Sequence, residues 1–187
     1  SLARMRSSVR SRLAPPFLFN IFILMSESIT LIGMAGAGKT SVGKKLALDL
    51  NKNFIDSDKV IEDESGKTLQ GLLIELGTEE FKKFERKTIQ SIKLDNTVLA
   101  TGGSAVLSEE AMHYLRDNSK VIYLEVSFED ISKRVSGFNN RGFIKDSDQT
   151  VEEAFLFRKG LYQQYSHYVV SNDGSITACL DKIKSLF

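Results

Sequence analysis

The stretch Gly33-Met34-Ala35-Gly36-Ala37-Gly38-Lys39-Thr40 decides how this chain is read. It has the form G-x-x-x-x-G-K-[ST], the phosphate-binding loop. The residues before it, Ile29-Thr30-Leu31-Ile32, are apolar and β-branched, as a buried strand requires. After it, residues 41–50 carry Val42, Leu46, Ala47 and Leu50 at helical spacing. Strand, glycine loop and helix together are the setting the motif needs. Glycine lets the backbone approach an anion closely. The exposed N–H groups and the positive end of the following helix then make a nest for a di- or triphosphate. Gly33, Ala35, Gly36, Ala37, Gly38, Lys39, Thr40 and Ser41 are therefore expected to hold a nucleotide. Lys39 is expected to reach the β- and γ-phosphates, and the Thr40 hydroxyl to meet Mg²⁺.

Outward from the loop, Asn53-Phe54-Ile55-Asp56-Ser57-Asp58 reads as a second strand ending in two acids. In an extended chain Asp56 and Asp58 would share a face. Asp56 suits the hydration shell of the metal, and Asp58 suits acceptance of a proton from an attacking hydroxyl. The alternative for Asp58 is a plain N-cap of a helix over 59–64, and capping does not exclude catalysis. Residues 69–76 have helical spacing closed by Gly77, and Thr78 reads as the cap of a further helix running to residue 94. That helix has Phe81, Phe84, Thr88, Ile89 and Ile92 as its inner stripe, with Lys82, Lys83, Glu85, Arg86 and Lys87 on a solvated face. Residues 97–101 form a buried strand that ends in Gly102-Gly103-Ser104, where a ligand can come close to bare backbone or the chain can simply turn.

Further on, 108–117 reads as a short helix, 121–124 as a central strand, and 127–135 as a helix capped by Ser127. Residues 136–150 lose all periodicity and hold Arg141, which in a kinase points to a lid. A helix over 151–165 follows, packing through Phe155, Leu156, Tyr162 and Tyr165, then a short strand at 168–170 and a terminal helix over 175–187. Strands alternating with helices imply a three-layer α/β/α fold around a five-stranded parallel sheet, with ligands at the carboxyl ends of the strands.

The composition narrows the function classes. The chain has 187 residues, 42% hydrophobic and 26% charged, with a net charge of +1. That suits a single domain over 25–187 and gives no bulk electrostatic reason to bind nucleic acid or an anionic membrane. The single cysteine, Cys179, reads as a small buried hydrophobe. His113 and His167 have no metal-like spacing. Residues 1–24 carry four arginines, no acid, Pro15-Pro16 and the start of an apolar run over 17–25. A transit peptide, a secretory signal and an extension ahead of a domain starting at Met25 compete, and the third is favoured. The expectation is a cytoplasmic protein, organellar if 1–24 is a transit peptide. A monomer is expected, with dimerisation through the extension as the alternative.

Taken jointly, G-M-A-G-A-G-K-T, F-I-D-S-D, F-K-K-F-E, A-T-G-G-S-A-V, the lid arginine and F-R-K-G-L-Y resemble the shikimate kinase family over roughly residues 27–187. The resemblance implies a P-loop kinase fold with a mobile lid, ATP and Mg²⁺, and transfer of a phosphoryl group to the 3-hydroxyl of shikimate. By the same resemblance, Asp58, Gly102, Gly103 and Arg158 would bind the acceptor, Arg158 through its carboxylate. Lys39, Asp58 and Arg141 would serve the transfer, Arg134 would stack near adenine, and Thr40 and Asp56 would hold the metal.

Four departures stand out. The family's acceptor-binding arginine is here Lys82, a point charge in place of a bidentate fork. Ser104 replaces the third glycine of the family's run, adding a hydroxyl and restricting φ beside the acceptor. Gly142 replaces a proline after the lid arginine, and a proline is missing near Ser175. Lys82 and Ser104 thus mark the acceptor pocket as edited. A kinase for another small hydroxy acid or polyol, or a non-catalytic nucleotide-binding relative, are the alternatives.

Overall fold

The computed structural model describes residues 27–135, 144 and 148–186. Five strands form one parallel sheet in the order β2-β3-β1-β4-β5. They are β1 (Ile29–Ile32), β2 (Asn53–Asp56), β3 (Thr97–Ala100), β4 (Lys120–Glu125) and β5 (Tyr168–Ser171). Every residue of β1 and β3 is buried, whereas β2 and β5, at the two edges, are partly exposed. That gradient is what a parallel sheet covered on both faces produces.

The helices are α1 (Lys39–Asp49), α2 (Ser57–Ser65), α3 (Leu69–Ser91), α4 (Glu109–Asn118), α5 (Phe128–Arg134), α6 (Val151–Tyr165) and α7 (Ile176–Lys184). A 3₁₀ turn, Ala105–Leu107, follows β3. Helix α1 packs with α7, while α4 packs with α3 and α6. The main core joins the sheet to these helices through residues such as Leu31, Leu46, Leu99, Ile122 and Leu180. A smaller core of Ile61, Leu72, Phe81 and Ile144 holds α2 against α3. A hydrogen bond from the Thr88 hydroxyl to Glu64 Oε2, 2.7 Å, adds to that pairing.

Helix starts follow local chemistry. Ser108, Ser127 and Ser175 each accept a backbone N–H at an N-cap, and Thr150 forms a full capping box with Glu153. Several sequence expectations shift here. Strand β2 stops at Asp56, and its carboxylate, not that of Asp58, caps α2. Asp58 lies in the first turn of α2, so the two acids do not share a strand face. Helix α3 starts after Thr68, whose side chain accepts from Gly71 N, and continues through a kink at Gly77 (φ 75°, ψ 169°) to Ser91. Non-helical Gly77 thus divides the element into two helical segments, as its place at the end of residues 69–76 led one to expect, and the second segment ends at Ser91, short of residue 94. Glu85 is buried at 3% exposure, not solvated, and Leu156 is exposed, not packed. Cys179 is buried, as expected.

The extension 1–24 and most of the expected lid 136–150, with Arg141 and Gly142, lie outside the described residues. Among the described residues no helix is long and apolar enough to cross a membrane.

Candidate active site

Parallel strands place their carboxyl ends on one rim of the sheet. At the centre of that rim, β1 runs into the glycine loop. Gly36 and Gly38 adopt positive φ, 83° and 88°, and both are hemmed in. A Cβ on Gly36 would lie 2.5 Å from Val135 Cγ2, and one on Gly38 2.8 Å from Asn172 Nδ2. Glycine is needed at both for conformation and for room.

A cavity of about 590 Å³ opens over this loop. Ala35, Gly36, Gly38, Lys39, Thr40, Ser41, Asp58, Gly103 and Arg134 line it. These are nine of the residues expected from sequence to meet nucleotide or acceptor. Glu62, Thr68, Leu69 and Gln70 form a wall that sequence reading did not assign. The buried Lys39 ammonium donates to Gly33 O (2.7 Å) and Met34 O (2.8 Å), bracing the loop from within. Burial lowers its pKa to about 8, opposed by the charges of Asp58 and Asp56.

The Thr40 hydroxyl donates to Asp56 Oδ2 over 2.8 Å, and Asp56 Oδ1 accepts the N–H of Asp58 at 3.1 Å. Asp56 thus joins the first turns of α1 and α2. The oxygen pair of Thr40 and Asp56 suits a hard cation that keeps most of its ligands as water and phosphate, as Mg²⁺ does. No cluster of three or more His, Cys, Asp or Glu able to hold a metal occurs among the described residues. Asp58, facing the cavity, has its pKa pushed up to about 6, chiefly by burial, with Lys39 opposing and the charges of Asp56 and Glu62 adding to the rise.

The glycine pair is held from three sides. Gly102 N–H donates to Ser57 Oγ at 3.0 Å. The Gly103 carbonyl accepts from Tyr162 Oη (2.7 Å) and Arg158 Nη1 (3.2 Å). A Cβ on Gly102 would overlap Asp58 Oδ1 and come within 2.9 Å of Glu85 Oε1. Arg158 is 3% exposed and also donates to the Ile144 carbonyl; burial lowers its pKa. It lines a second hollow of about 180 Å³ together with Lys82, Leu107, Ile144, Gln149, Ala154 and Phe157. Lys82 therefore stands beside Arg158, and its ammonium pairs with Glu79 at 3.0 Å. Arg134, which lines the large cavity beside Gly36, donates to Asn172 O at 3.0 Å. Gly33, Ala37, Asp56, Gly102 and Ser104 do not line that cavity.

Two residues here escaped the sequence reading. Glu85 accepts the Ser104 hydroxyl at 2.8 Å, and burial raises its pKa to about 7. Its signal was present: Glu85 sits four residues from both Phe81 and Ile89 on the buried stripe of α3. Asn172, 5% exposed, donates from Nδ2 to Ala37 O at 2.8 Å and so ties the end of β5 to the phosphate loop. Nothing local in the sequence marked it. The histidines have ordinary roles: His113 lies near Glu109 and His167 Nδ1 accepts from Val121 N–H.

A parallel sheet carrying a phosphate loop at its centre, with a carboxylate sharing an open cavity with that loop, defines a P-loop kinase of small molecules. The family model described as "Shikimate kinase" matches residues 35–186. The chain belongs to the shikimate kinase family and is an ATP-dependent kinase. A shikimate kinase of Francisella tularensis subsp. holarctica is 37% identical over 157 residues, covering 82% of this chain and 89% of the relative. One from Corynebacterium jeikeium is 34% identical over 152 residues, covering 80% and 82%. Among solved structures, shikimate kinase from Acinetobacter baumannii in complex with shikimate superposes with a TM-score of 0.79 at 30% identity, covering 86% of this chain and 92% of that one. A gluconokinase from Sinorhizobium meliloti, at 14% identity, 85% and 90% coverage and a TM-score of 0.54, shares the fold alone.

Proposed function

We propose that this chain transfers the γ-phosphoryl group of ATP to the 3-hydroxyl of shikimate, and that the residues lining the large cavity, with Asp56, Gly102 and Arg158 bonded or packed behind them, divide the work as follows. The backbone of the phosphate loop holds the β- and γ-phosphates, with Lys39 exchanging its two loop carbonyls for phosphate oxygens. Arg134 flanks the adenine. Asp58 orients the acceptor hydroxyl and takes its proton as the new O–P bond forms and the bond to the ADP oxygen breaks. With a pKa of about 6, Asp58 is mostly ionised at neutral pH and still basic enough to accept. Arg158, with the Gly102 and Gly103 backbone, holds the acceptor's carboxylate end. Thr40 and Asp56 would hold Mg²⁺, which when bound neutralises developing charge on the phosphates. A loose phosphoryl transition state is stabilised mainly by such positioning and charge.

The observation that carries this reading is the shared cavity: Lys39, Thr40 and Asp58 face the same space as the bare backbone of Gly36, Gly38 and Gly103. Kinship with a kinase solved with shikimate bound supports the choice of acceptor. The test is ADP release from ATP with and without shikimate, before and after chelation of the divalent cation. Shikimate-dependent, chelator-sensitive release is expected; release indifferent to shikimate overturns the reading.

A second reading, another small hydroxy acid as acceptor, draws on Lys82. A lysine already paired with Glu79 offers a carboxylate less than a free arginine fork does. A panel of hydroxy acids and polyols in the same assay separates the two readings.

A further inference from the structure

Ser104 stands where a glycine would serve the backbone equally well. Its φ of −90° and ψ of −17° are open to any residue, so the expected restriction of φ beside the acceptor has no conformational consequence. It precedes the 3₁₀ turn Ala105–Leu107, yet its side chain makes no capping bond there. The hydroxyl instead donates inward to Glu85 Oε1 at 2.8 Å. Glu85 is a buried carboxylate on α3, nineteen positions away in sequence. Buried carboxylates need partners, and a serine at 104 supplies one.

The same carboxylate borders the glycine pair, with Glu85 Oε1 2.9 Å from the point a Gly102 Cβ would occupy. The 102–104 turn is therefore fixed at each residue: Gly102 N–H on Ser57, Gly103 O on Arg158 and Tyr162, and the Ser104 hydroxyl on Glu85. The charged and titratable groups facing Glu85 are Asp58 from α2 and Arg158 and Tyr162 from α6.

We propose that Ser104 is a positioning residue which, through the buried carboxylate of Glu85, fixes the 102–104 turn against which a carboxylated polyol docks, and so sets affinity for the acceptor and not for the nucleotide. The inference rests on the acceptor reading given above and deepens it. Ser104 acts from behind the turn, because its hydroxyl is committed to Glu85 and it does not line the nucleotide cavity. A free glycine at this position would leave Glu85 without that donor and the turn with one anchor fewer.

The test uses the full chain with Ser104→Ala, Ser104→Gly and Ser104→Thr. Ser104→Ala and Ser104→Gly should raise KM for shikimate about tenfold, the effect of one hydrogen bond to a buried acid, with KM for ATP changed by less than about twofold. Ser104→Thr retains the hydroxyl and should restore the parent value. A separate arm follows the Glu85 carboxyl by ¹³C NMR in the nucleotide-free protein. Removing the Ser104 donor should move its titration to higher pH, since the bond favours the charged form. Unchanged acceptor KM in Ser104→Ala, equal losses in both KM values, or an unmoved Glu85 titration overturns the inference. If the parent chain ignores shikimate, the acceptor reading fails by itself, and the NMR arm still decides whether Ser104 governs Glu85.

Discussion

Asp58 and Gly102, forty-four positions apart, meet so closely that the Asp58 Oδ1 atom fills the space a Cβ on Gly102 would need. Gly102 is not among the glycines with positive φ, so the demand is for room alone. Gly102→Ala must therefore push back Asp58, Glu85 or the turn itself. We expect a loss of roughly 1–3 kcal/mol in stability from overpacking and a larger loss in acceptor turnover than in ATP affinity. Thermal denaturation together with separate KM measurements for ATP and acceptor checks this.

Lys39→Ala should lower turnover by orders of magnitude, because positioning and charge are most of what the site offers the reaction. Asp58→Asn should cut kcat by about a hundredfold or more while leaving ATP affinity nearly unchanged, as befits a base that never touches the nucleotide. Titration with a fluorescent ATP analogue beside steady-state kinetics separates the two. An Asp58→Asn enzyme as fast as its parent removes Asp58 from the proton transfer.

The rate should depend on pH through both groups. Asp58 must be ionised, so kcat/KM falls as pH drops through about 6. Lys39 must be charged, so kcat/KM falls as pH rises through about 8. In kcat, measured with ATP saturating, the alkaline limb should move upward, because bound phosphates favour the ammonium. A flat profile between pH 5 and 9 contradicts the assignment.

Stability carries a related signature. Glu85 has its folded pKa raised from 4.5 to about 7 and Asp58 from 3.8 to about 6, both mainly by burial. The folded chain holds these protons more tightly than the unfolded chain. Their contribution to stability is complete below about pH 4 and is lost as pH rises through 6 and 7. Glu85→Gln should flatten this part of the dependence. Melting temperatures of parent and variant across pH 4 to 8 are the measurement.

Asn172→Ala removes the donor to Ala37 O and leaves a carbonyl of the phosphate loop without that partner. A cost of about 1–3 kcal/mol in stability is expected, with a rise in KM for ATP and little change in KM for the acceptor. Equal effects on both substrates would place Asn172 outside the nucleotide half of the site.

How much of this was legible in the chain depends on the range of each interaction. Lys39, Thr40 and their flanks form a contiguous motif whose strand, loop and helix are set by neighbours in sequence, and so it could be read directly. The D-x-D pair was legible as chemistry but not as geometry. Asp56 caps α2 and bonds Thr40, while Asp58 turns with the helix, because a cap decides which residue leaves the strand. Glu85 was hidden by its charge: a carboxylate among lysines reads as solvated until a partner such as Ser104 is brought to it.

The sequence by itself determined the alternation of strands and helices, the phosphate loop and the family, since hydrophobic periodicity and short motifs are local properties. Only the tertiary structure decided that Glu85 is buried beside Gly102, that Asn172 braces Ala37, and that Arg158 and Tyr162 converge on the carbonyl of Gly103. Those contacts join residues brought together by parallel crossovers, and no short-range pattern records which distant side chains a crossover will lay side by side.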